Sequence, residues 1–113
     1  MITASFHNNA ELWEVSLTVK GHAGQAEVGK DIVCASASIL AYTLAQIVHS
    51  LEHRLEGEPI ISLASGDTTI SCRCKNYRTY VKVLSAFNYT QVGFTLLAHN
   101  YPQFVELKML GKA

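Results

Sequence analysis

Apolar and polar residues alternate along residues 12–20, which is the pattern of a strand with one buried face. The apolar positions on its predicted inner face are Trp13, Val15, Leu17 and Val19. Residues 1–7 alternate more loosely but are rich in strand-forming residues, and the Asn8-Asn9 pair between the two segments is a turn signal. We therefore predict that residues 1–20 form a β-hairpin.

The apolar spacing then changes from two residues to three and four, which indicates a helix. The apolar stripe of this predicted helix consists of Leu40, Leu44, Ile47, Val48, Leu51 and Leu55. Asp31 is a suitable N-cap, Gly57 is a suitable C-cap, and Pro59 prevents the helix from resuming. Residues 21–30, which precede the helix, contain several glycines and are predicted to form a mobile loop.

The rest of the chain is predicted to add strands on both sides of a second helix. A helix begins near Tyr77, with a bend or break at Gly93, and the Ser65-Gly66-Asp67 segment reads as a turn. The predicted strands cover residues 59–63, 68–74 and 104–109. The order ββαββαβ predicts an α+β fold, a β-sheet with two main helices packed on it. A chain of 113 residues fits a single domain, 1–113.

Composition narrows the possible partners and compartments. The formal net charge is zero, which argues against nucleic acid or an acidic membrane surface as the main partner, because no basic excess exists to neutralise phosphates. No run of about eighteen apolar residues is present, and the segment MITASFHNN lacks the features of a secretion signal. Three cysteines, an odd number, fit reduced thiols. We expect a cytoplasmic protein without a membrane span.

The strongest chemical signal is a histidine and a cysteine in the segment GHAGQAEVGKDIVCASAS. Cys34 falls in the first turn of the predicted helix, where unpaired N–H groups and the helix dipole favour the reactive thiolate. His22 ends the preceding strand and can take the thiol proton and return it to a leaving group. The N–H groups of Val33 and Cys34 are expected to form an oxyanion hole. Because the intervening loop is flexible, we expect the two side chains to meet only when substrate binds.

Each residue around this pair also has a structural interpretation. Cys34 can be a small buried apolar residue, and His22 can be a polar residue of a surface loop. Asp31 can cap the helix, which we favour, or orient His22. Ser38, one turn after Cys34, can support the site or bond back to a helix carbonyl. Gly21 gives the loop its freedom, so we expect a Gly21 substitution to abolish activity while the fold survives.

Two further patterns favour packing over chemistry. The segment from His49 to His53 matches the H-x-x-E-H zinc pattern, but a further ligand from another helix is not evident, and a solvated helix face is the favoured interpretation. Cys72 and Cys74 form C-x-C on a predicted strand and lack two further ligands at a fitting spacing, so core packing is favoured. We predict neither a metal nor another cofactor.

The GHAG segment followed by DIVCASAS resembles the ribosomal-processing cysteine protease family. In that family a GHA histidine and a DIVC cysteine form the catalytic pair, and they correspond to His22 and Cys34. The segment YPQFVE is also similar to the end of that family. The family usually continues its cysteine motif with Ala-Ala-Val-Ser, whereas this chain continues with Ala-Ser-Ala-Ser. The resemblance spans nearly the whole chain.

The resemblance implies a cysteine endopeptidase in which His22 is the base, Cys34 is the nucleophile, and Asp31 and Ser38 have supporting roles. Members of the family remove the N-terminal extension of large-subunit ribosomal protein twenty-seven and form homodimers. A peptide substrate from a ribosomal protein and a homodimer are therefore expected. Phage-borne relatives imply capsid or scaffold proteins as alternative substrates. An alternative of a different class is a non-enzymatic protein-binding module in which Cys34 is buried and inert.

Overall fold

The computed structural model describes residues 1–24 and 31–110, and within these residues it contains five strands and two long helices. In chain order they are β1 (Ile2–Asn9), β2 (Glu14–Lys20), α1 (Ile32–Ser50), β3 (Ile60–Ala64), β4 (Asp67–Arg73), α2 (Tyr77–Asn100) and β5 (Val105–Leu110). A short 3-10 turn, Glu52–Arg54, follows α1. The order ββαββαβ and the sheet with two helices confirm the predicted α+β fold.

The strands form one mixed sheet in the order β3-β4-β2-β1-β5. β1 pairs with β5 in parallel, whereas the other neighbouring strands are antiparallel. Alternate residues of β1, β2 and β4 are buried, as the period of two requires, and Val15, Leu17 and Val19 of β2 belong to the core. α1 packs against β4 and α2 against β2 and β5, so the core lies between the helices and the sheet.

α1 covers the sheet with small and branched apolar residues. Its buried residues are Val33, Ala37, Ala41, Leu44, Ala45 and Val48. By length and composition alone, α1 is also apolar enough to cross a membrane. Three isoleucines on its exposed side, Ile32, Ile39 and Ile47, contribute to that hydropathy. In this fold the other side of α1 is part of the protein core.

The first hairpin forms as predicted, but its turn comes later in the chain. β1 continues to Asn9, so Trp13 lies in the turn and not on the inner face of β2. Trp13 has a φ of +52°, and its N–H donates to the Ala10 carbonyl at 3.3 Å. Its own carbonyl accepts from the Cys74 N–H at 2.9 Å. The hydrogen bonds of the turn therefore override the alternating pattern at this residue.

α1 ends at Ser50, well before the predicted C-cap Gly57. After the 3-10 turn, Leu55 has an extended backbone and pairs with Cys74 beside β4. The Leu55 side chain is 2% exposed. The apolar spacing thus predicted the burial of Leu55 correctly and its secondary structure wrongly, because pairing with the sheet replaces the last helical turns.

α2 is unbroken from Tyr77 to Asn100, so the predicted bend or break at Gly93 is wrong. A Cβ atom at Gly93 would lie 2.5 Å from Cδ2 of Leu40 on α1. The missing side chain therefore lets the Leu40 side chain reach the backbone of α2, and the two helices pack closely. Gly93 serves packing between helices rather than a change of direction.

Candidate active site

A small cleft lies at the end of the sheet where β2 finishes and β4 begins. The register of β2 against β4 pairs Lys20 with Asp67, and the two side chains form an ion pair. The segment after β2 and the β3–β4 turn are therefore neighbours, and the first turns of α1 close the third side. The cleft has a volume of about 120 Å³, and its lining includes Gly21, His22, Cys34, Ser38, Tyr42, Ser65, Gly66 and Asp67.

Cys34 is the third residue of α1 and is half-buried at this cleft. Asp31 is the helix N-cap, as the sequence predicts, and is 6% exposed. Its Oδ1 accepts hydrogen bonds from the N–H groups of Val33 at 2.9 Å and Cys34 at 3.1 Å. Those two N–H groups are therefore engaged by the cap, and the expectation that they form an oxyanion hole is not supported by this geometry.

The Cys34 sulfur faces the segment that follows β2. The backbone N–H of Ala23 donates to Cys34 Sγ at 3.4 Å. The carbonyl of the preceding residue, His22, accepts a hydrogen bond from the α-ammonium group of Met1 at 2.6 Å. The backbone of residues 22–23 is thus held between the start of β1 and the first turn of α1.

The His22 imidazole lines the same cleft as Cys34 and lies against the β3–β4 turn. A Cβ atom placed on Gly66 would be 2.5 Å from His22 Nε2 and 3.0 Å from Cε1. Among the residues that the structure describes, no hydrogen bond joins the imidazole to Cys34 Sγ. The structure therefore brings the predicted pair to one cleft without the direct bond that proton transfer requires.

The other predicted site residues have distinct positions. Ser38 lines the cleft one turn after Cys34, on the same side of α1. Gly21 adopts a φ of +91° next to β1, where a Cβ atom would be 2.2 Å from the Met1 carbonyl oxygen. Of the predicted mobile loop 21–30, residues 25–30 lie outside the described residues.

Sequence reasoning missed one wall of the cleft. The turn at Ser65-Gly66-Asp67 was predicted, but nothing in its local sequence connects it to His22. The connection depends on the pairing of β2 with β4, which brings together residues 47 positions apart. Tyr42 was also missed, since its role as a lining residue depends on which side of α1 faces the cleft.

The two further candidate sites in the sequence, the Cys72–Cys74 pair and the segment from His49 to His53, have structural roles. Cys72 and Cys74 are free and buried. The hydrogen bond between their side chains, followed by burial, raises the pKa of Cys72, whereas the same bond lowers the pKa of Cys74. His49 and His53 are exposed, and the end of α1 at Ser50 removes the continuous helix that the zinc pattern needs.

Comparison with known protein families gives a match over most of the chain. The family model for the cysteine protease Prp matches residues 1–106, a range that includes both His22 and Cys34. The chain belongs to the cysteine protease Prp family. This match confirms the resemblance carried by the GHAG and DIVCASAS segments. The cleft described above is therefore the cleft of a protein of the Prp protease family. No curated protein sequence matches the chain.

Solved structures, two of them of a Prp protease, share the fold over almost the whole chain. The essential ribosomal processing protease Prp from S. aureus, in complex with a covalently linked product peptide, has a TM-score of 0.75 and 25% identity, covering 97% of this chain and 100% of that chain. The SMU.848 protein from Streptococcus mutans has a TM-score of 0.69 and 29% identity, covering 99% of this chain and 96% of that chain. The S. aureus protease with a substrate peptide has a TM-score of 0.71 and 23% identity, covering 97% and 100%.

Proposed function

We propose that this Prp protein is an endopeptidase in which Cys34 is the nucleophile and His22 the general acid and base. The observation that carries the proposal is that both side chains line one cleft in a chain of a cysteine protease family. The nucleophile stands at the start of a capped helix, and the base stands on the segment that ends β2.

The proposed reaction proceeds through an acyl-enzyme. His22 takes the proton from Cys34 Sγ, and the thiolate attacks the scissile carbonyl carbon to form a C–S bond. The protonated imidazole then gives that proton to the leaving nitrogen as the C–N bond breaks. Water attacks the thioester, His22 accepts the proton from the water, and the C–S bond breaks to release the carboxyl product. The proton returns to the sulfur, which restores the resting enzyme.

The geometry around the sulfur supports these steps. The Ala23 N–H points at Sγ and can stabilise a thiolate there, since a hydrogen bond to the charged form favours that form. Because the cap occupies the N–H groups of Val33 and Cys34, we assign the donor for the oxyanion to the Ala23 amide, which passes from Sγ to the oxyanion once the C–S bond has removed the negative charge from the sulfur. The imidazole has to turn from Gly66 towards the sulfur; we infer that the free enzyme makes this movement transiently and that substrate binding stabilises the turned position.

We propose that the substrate is the N-terminal extension of a ribosomal protein, large-subunit protein twenty-seven in the family to which this chain belongs. The similar S. aureus protein is a ribosomal processing protease that has been solved with a substrate peptide and with a product peptide. A capsid or scaffold protein is the alternative substrate. Cleavage of either substrate would use the same chemical steps and would differ only in the peptide that is bound.

We also propose a cytoplasmic homodimer that acts without nucleic acid. The α1–α2 groove, with apolar walls formed by Ile39, Leu40, Ile47, Ala86 and Tyr89, is the surface that we assign to the second copy. Its rim is unusually apolar for a protein surface, with Ile39 63% and Tyr89 76% exposed. The formal net charge of zero adds no repulsion between two copies.

The deciding experiment is cleavage of the precursor of ribosomal protein twenty-seven by the wild type, Cys34→Ala and His22→Ala. Mass spectrometry of the product locates the cut. We expect loss of all covalent catalysis in Cys34→Ala and a decrease of about 10²–10⁴-fold in kcat for His22→Ala. Cleavage by Cys34→Ala would exclude Cys34 as the nucleophile. Failure of the wild type on this precursor, with cleavage of a phage capsid or scaffold precursor, would support the alternative substrate.

Thiol labelling separates an enzyme from an inert binding module. We expect iodoacetamide to modify Cys34 in the folded protein at neutral pH before either other cysteine reacts. Cys72 and Cys74 are 4% and 3% exposed, so the reagent cannot reach either sulfur in the folded protein, and they are internal controls that react only on unfolding. Peptide mapping after partial modification measures the order. Equal and slow modification of all three thiols would favour the binding module.

A further inference from the structure

Gly66, in the turn between β3 and β4, occupies a position that admits no side chain. Its φ is +71°, in the left-handed region, and a Cβ atom there would meet the His22 ring at three atoms. The nearest is Nε2 at 2.5 Å, followed by Cε1 at 3.0 Å and Cδ2 at 3.1 Å. The imidazole therefore uses the space that any other residue would fill.

The backbone of this turn is fixed to the segment that carries His22. The carbonyl of Gly66 accepts a hydrogen bond from the N–H of Gly21 at 2.9 Å. The next residue, Asp67, begins β4 and pairs with Lys20 in the sheet register and through an ion pair. Because these bonds tie Gly66 and Asp67 to Gly21 and Lys20, the turn cannot retreat to make room for a Cβ atom without breaking them. The imidazole is the part that has to move.

We propose that Gly66 is a positioning residue for the His22 imidazole. Because Gly66 has no side chain, the backbone of the β3–β4 turn determines where the ring rests. The same missing side chain leaves the space through which the ring turns towards Cys34. The proposal rests on the proposed function, in which His22 moves the proton. Contacts below 3.0 Å between a Cβ atom and a non-bonded heavy atom are essentially never seen and ordinary contact begins at 3.4 Å, so relieving the 2.5 Å contact of an alanine at 66 displaces the ring by about 1 Å. A displacement of that size is enough to disturb proton transfer.

The chain offers a matched control for the backbone conformation. Gly57 has a φ of +73°, but within the described part of the chain a Cβ atom there would meet no atom closer than 4 Å. Gly66→Ala and Gly57→Ala therefore carry the same left-handed backbone cost, and only the first meets the imidazole. The experiment measures kcat and KM for peptide cleavage by both variants and the wild type. Circular dichroism and thermal unfolding establish that each variant is folded.

We expect Gly66→Ala to lower kcat by about tenfold or more relative to Gly57→Ala, with little change in KM, because the imidazole acts on the chemical step. Equal kcat in the two variants, whether high or low, would overturn the role of Gly66. If Gly66→Ala does not fold, Gly66→Asn and Gly57→Asn repeat the comparison. Asparagine carries the same Cβ atom but tolerates the left-handed region better.

Iodoacetamide modification of Cys34 tests the same inference without a substrate. Gly66→Ala is expected to slow modification at neutral pH in the wild-type background and to have no effect in a His22→Ala background, because the ring is then absent. A decrease of the same size in both backgrounds would show a general structural effect and overturn the proposal. Failure of the wild type to cleave any precursor would instead count against the proposed function, and the modification rates would still decide the role of Gly66.

Discussion

Gly21 is constrained by its neighbours in the fold. Its φ of +91° lies in the left-handed region, and a Cβ atom there would be 2.2 Å from the Met1 carbonyl oxygen. That oxygen belongs to the backbone, so it cannot move as a flexible side chain would. This geometry argues against the expectation from sequence that a Gly21 substitution leaves the fold intact.

We expect Gly21→Ala to lower the free energy of unfolding by about 2–4 kcal/mol, because it adds a steric overlap to the cost of the left-handed backbone. Gly24→Ala is the matched control, since Gly24 has a φ of +72° and none of the described residues comes within 4 Å of a Cβ atom there. For that variant we expect a loss of only about 1–2 kcal/mol. Urea unfolding measures both values, and equal losses would contradict the role of the Met1 contact.

At the scale of an element, the start of α1 depends on Asp31. We expect Asp31→Ala to lower the free energy of unfolding by about 1–2 kcal/mol, because Oδ1 accepts the N–H groups of Val33 and Cys34. Asp31→Asn should lose less, since asparagine is an equally good cap. Ser36→Ala is the control: its hydroxyl bonds back to the Ile32 carbonyl at 2.7 Å and is exposed, so we expect a change within about 0.5 kcal/mol.

Thermal or urea unfolding measures these variants, and an Asp31→Ala protein as stable as Ser36→Ala would contradict the cap. The peptidase activity of Asp31→Asn then separates the two roles left open for this residue. Full activity in the folded variant assigns only the cap. A large loss of kcat in a folded Asp31→Asn protein assigns a role for the charge in orienting His22.

The elements themselves were largely predictable because their apolar periods are regular. The period of two in β2 and β4 and the cap at Asp31 depend on neighbouring residues, which a sequence shows directly. The errors occur where tertiary contacts outweigh local pattern. Trp13 is held in a turn by hydrogen bonds with Ala10 in the turn and with Cys74 after β4. Leu55 pairs with the sheet instead of continuing the helix, and Gly93 allows contact with Leu40 rather than a bend.

At the scale of the whole molecule, the α1–α2 groove predicts association. We expect Ile39→Asp to shift the protein from dimer to monomer in analytical ultracentrifugation, because it places a charge in the apolar wall that we assign to the second copy. Ile60→Asp is the control. Ile60 is an isoleucine of similar exposure, 58% against 63%, but it lies on the edge strand β3 away from the groove. A wild-type monomer, or equal effects of both variants, would contradict this interface.

The candidate site was only partly predictable from the sequence, because one of its walls is formed by contacts between distant segments of the chain. His22 and Cys34 lie in one segment, and their residue types and their place before a helix point to nucleophilic chemistry. The third wall comes from Gly66 and its neighbours, which reach His22 only through sheet pairing. The hydrogen bond from the Val33 N–H to Asp31 likewise depends on the cap geometry. It occupies an N–H group that the sequence predicted to stabilise the oxyanion.

The pairing of Lys20 with Asp67 across 47 positions has a kinetic consequence. Contacts between distant segments form slowly, because the intervening chain loses entropy before the contact stabilises it. A chain emerging from the ribosome as far as α1 holds both reactive side chains but lacks the turn on which the imidazole rests. Under the proposed function, an unfinished or locally unfolded copy is inert, and the onset of cleavage follows the rate at which β4 joins the sheet.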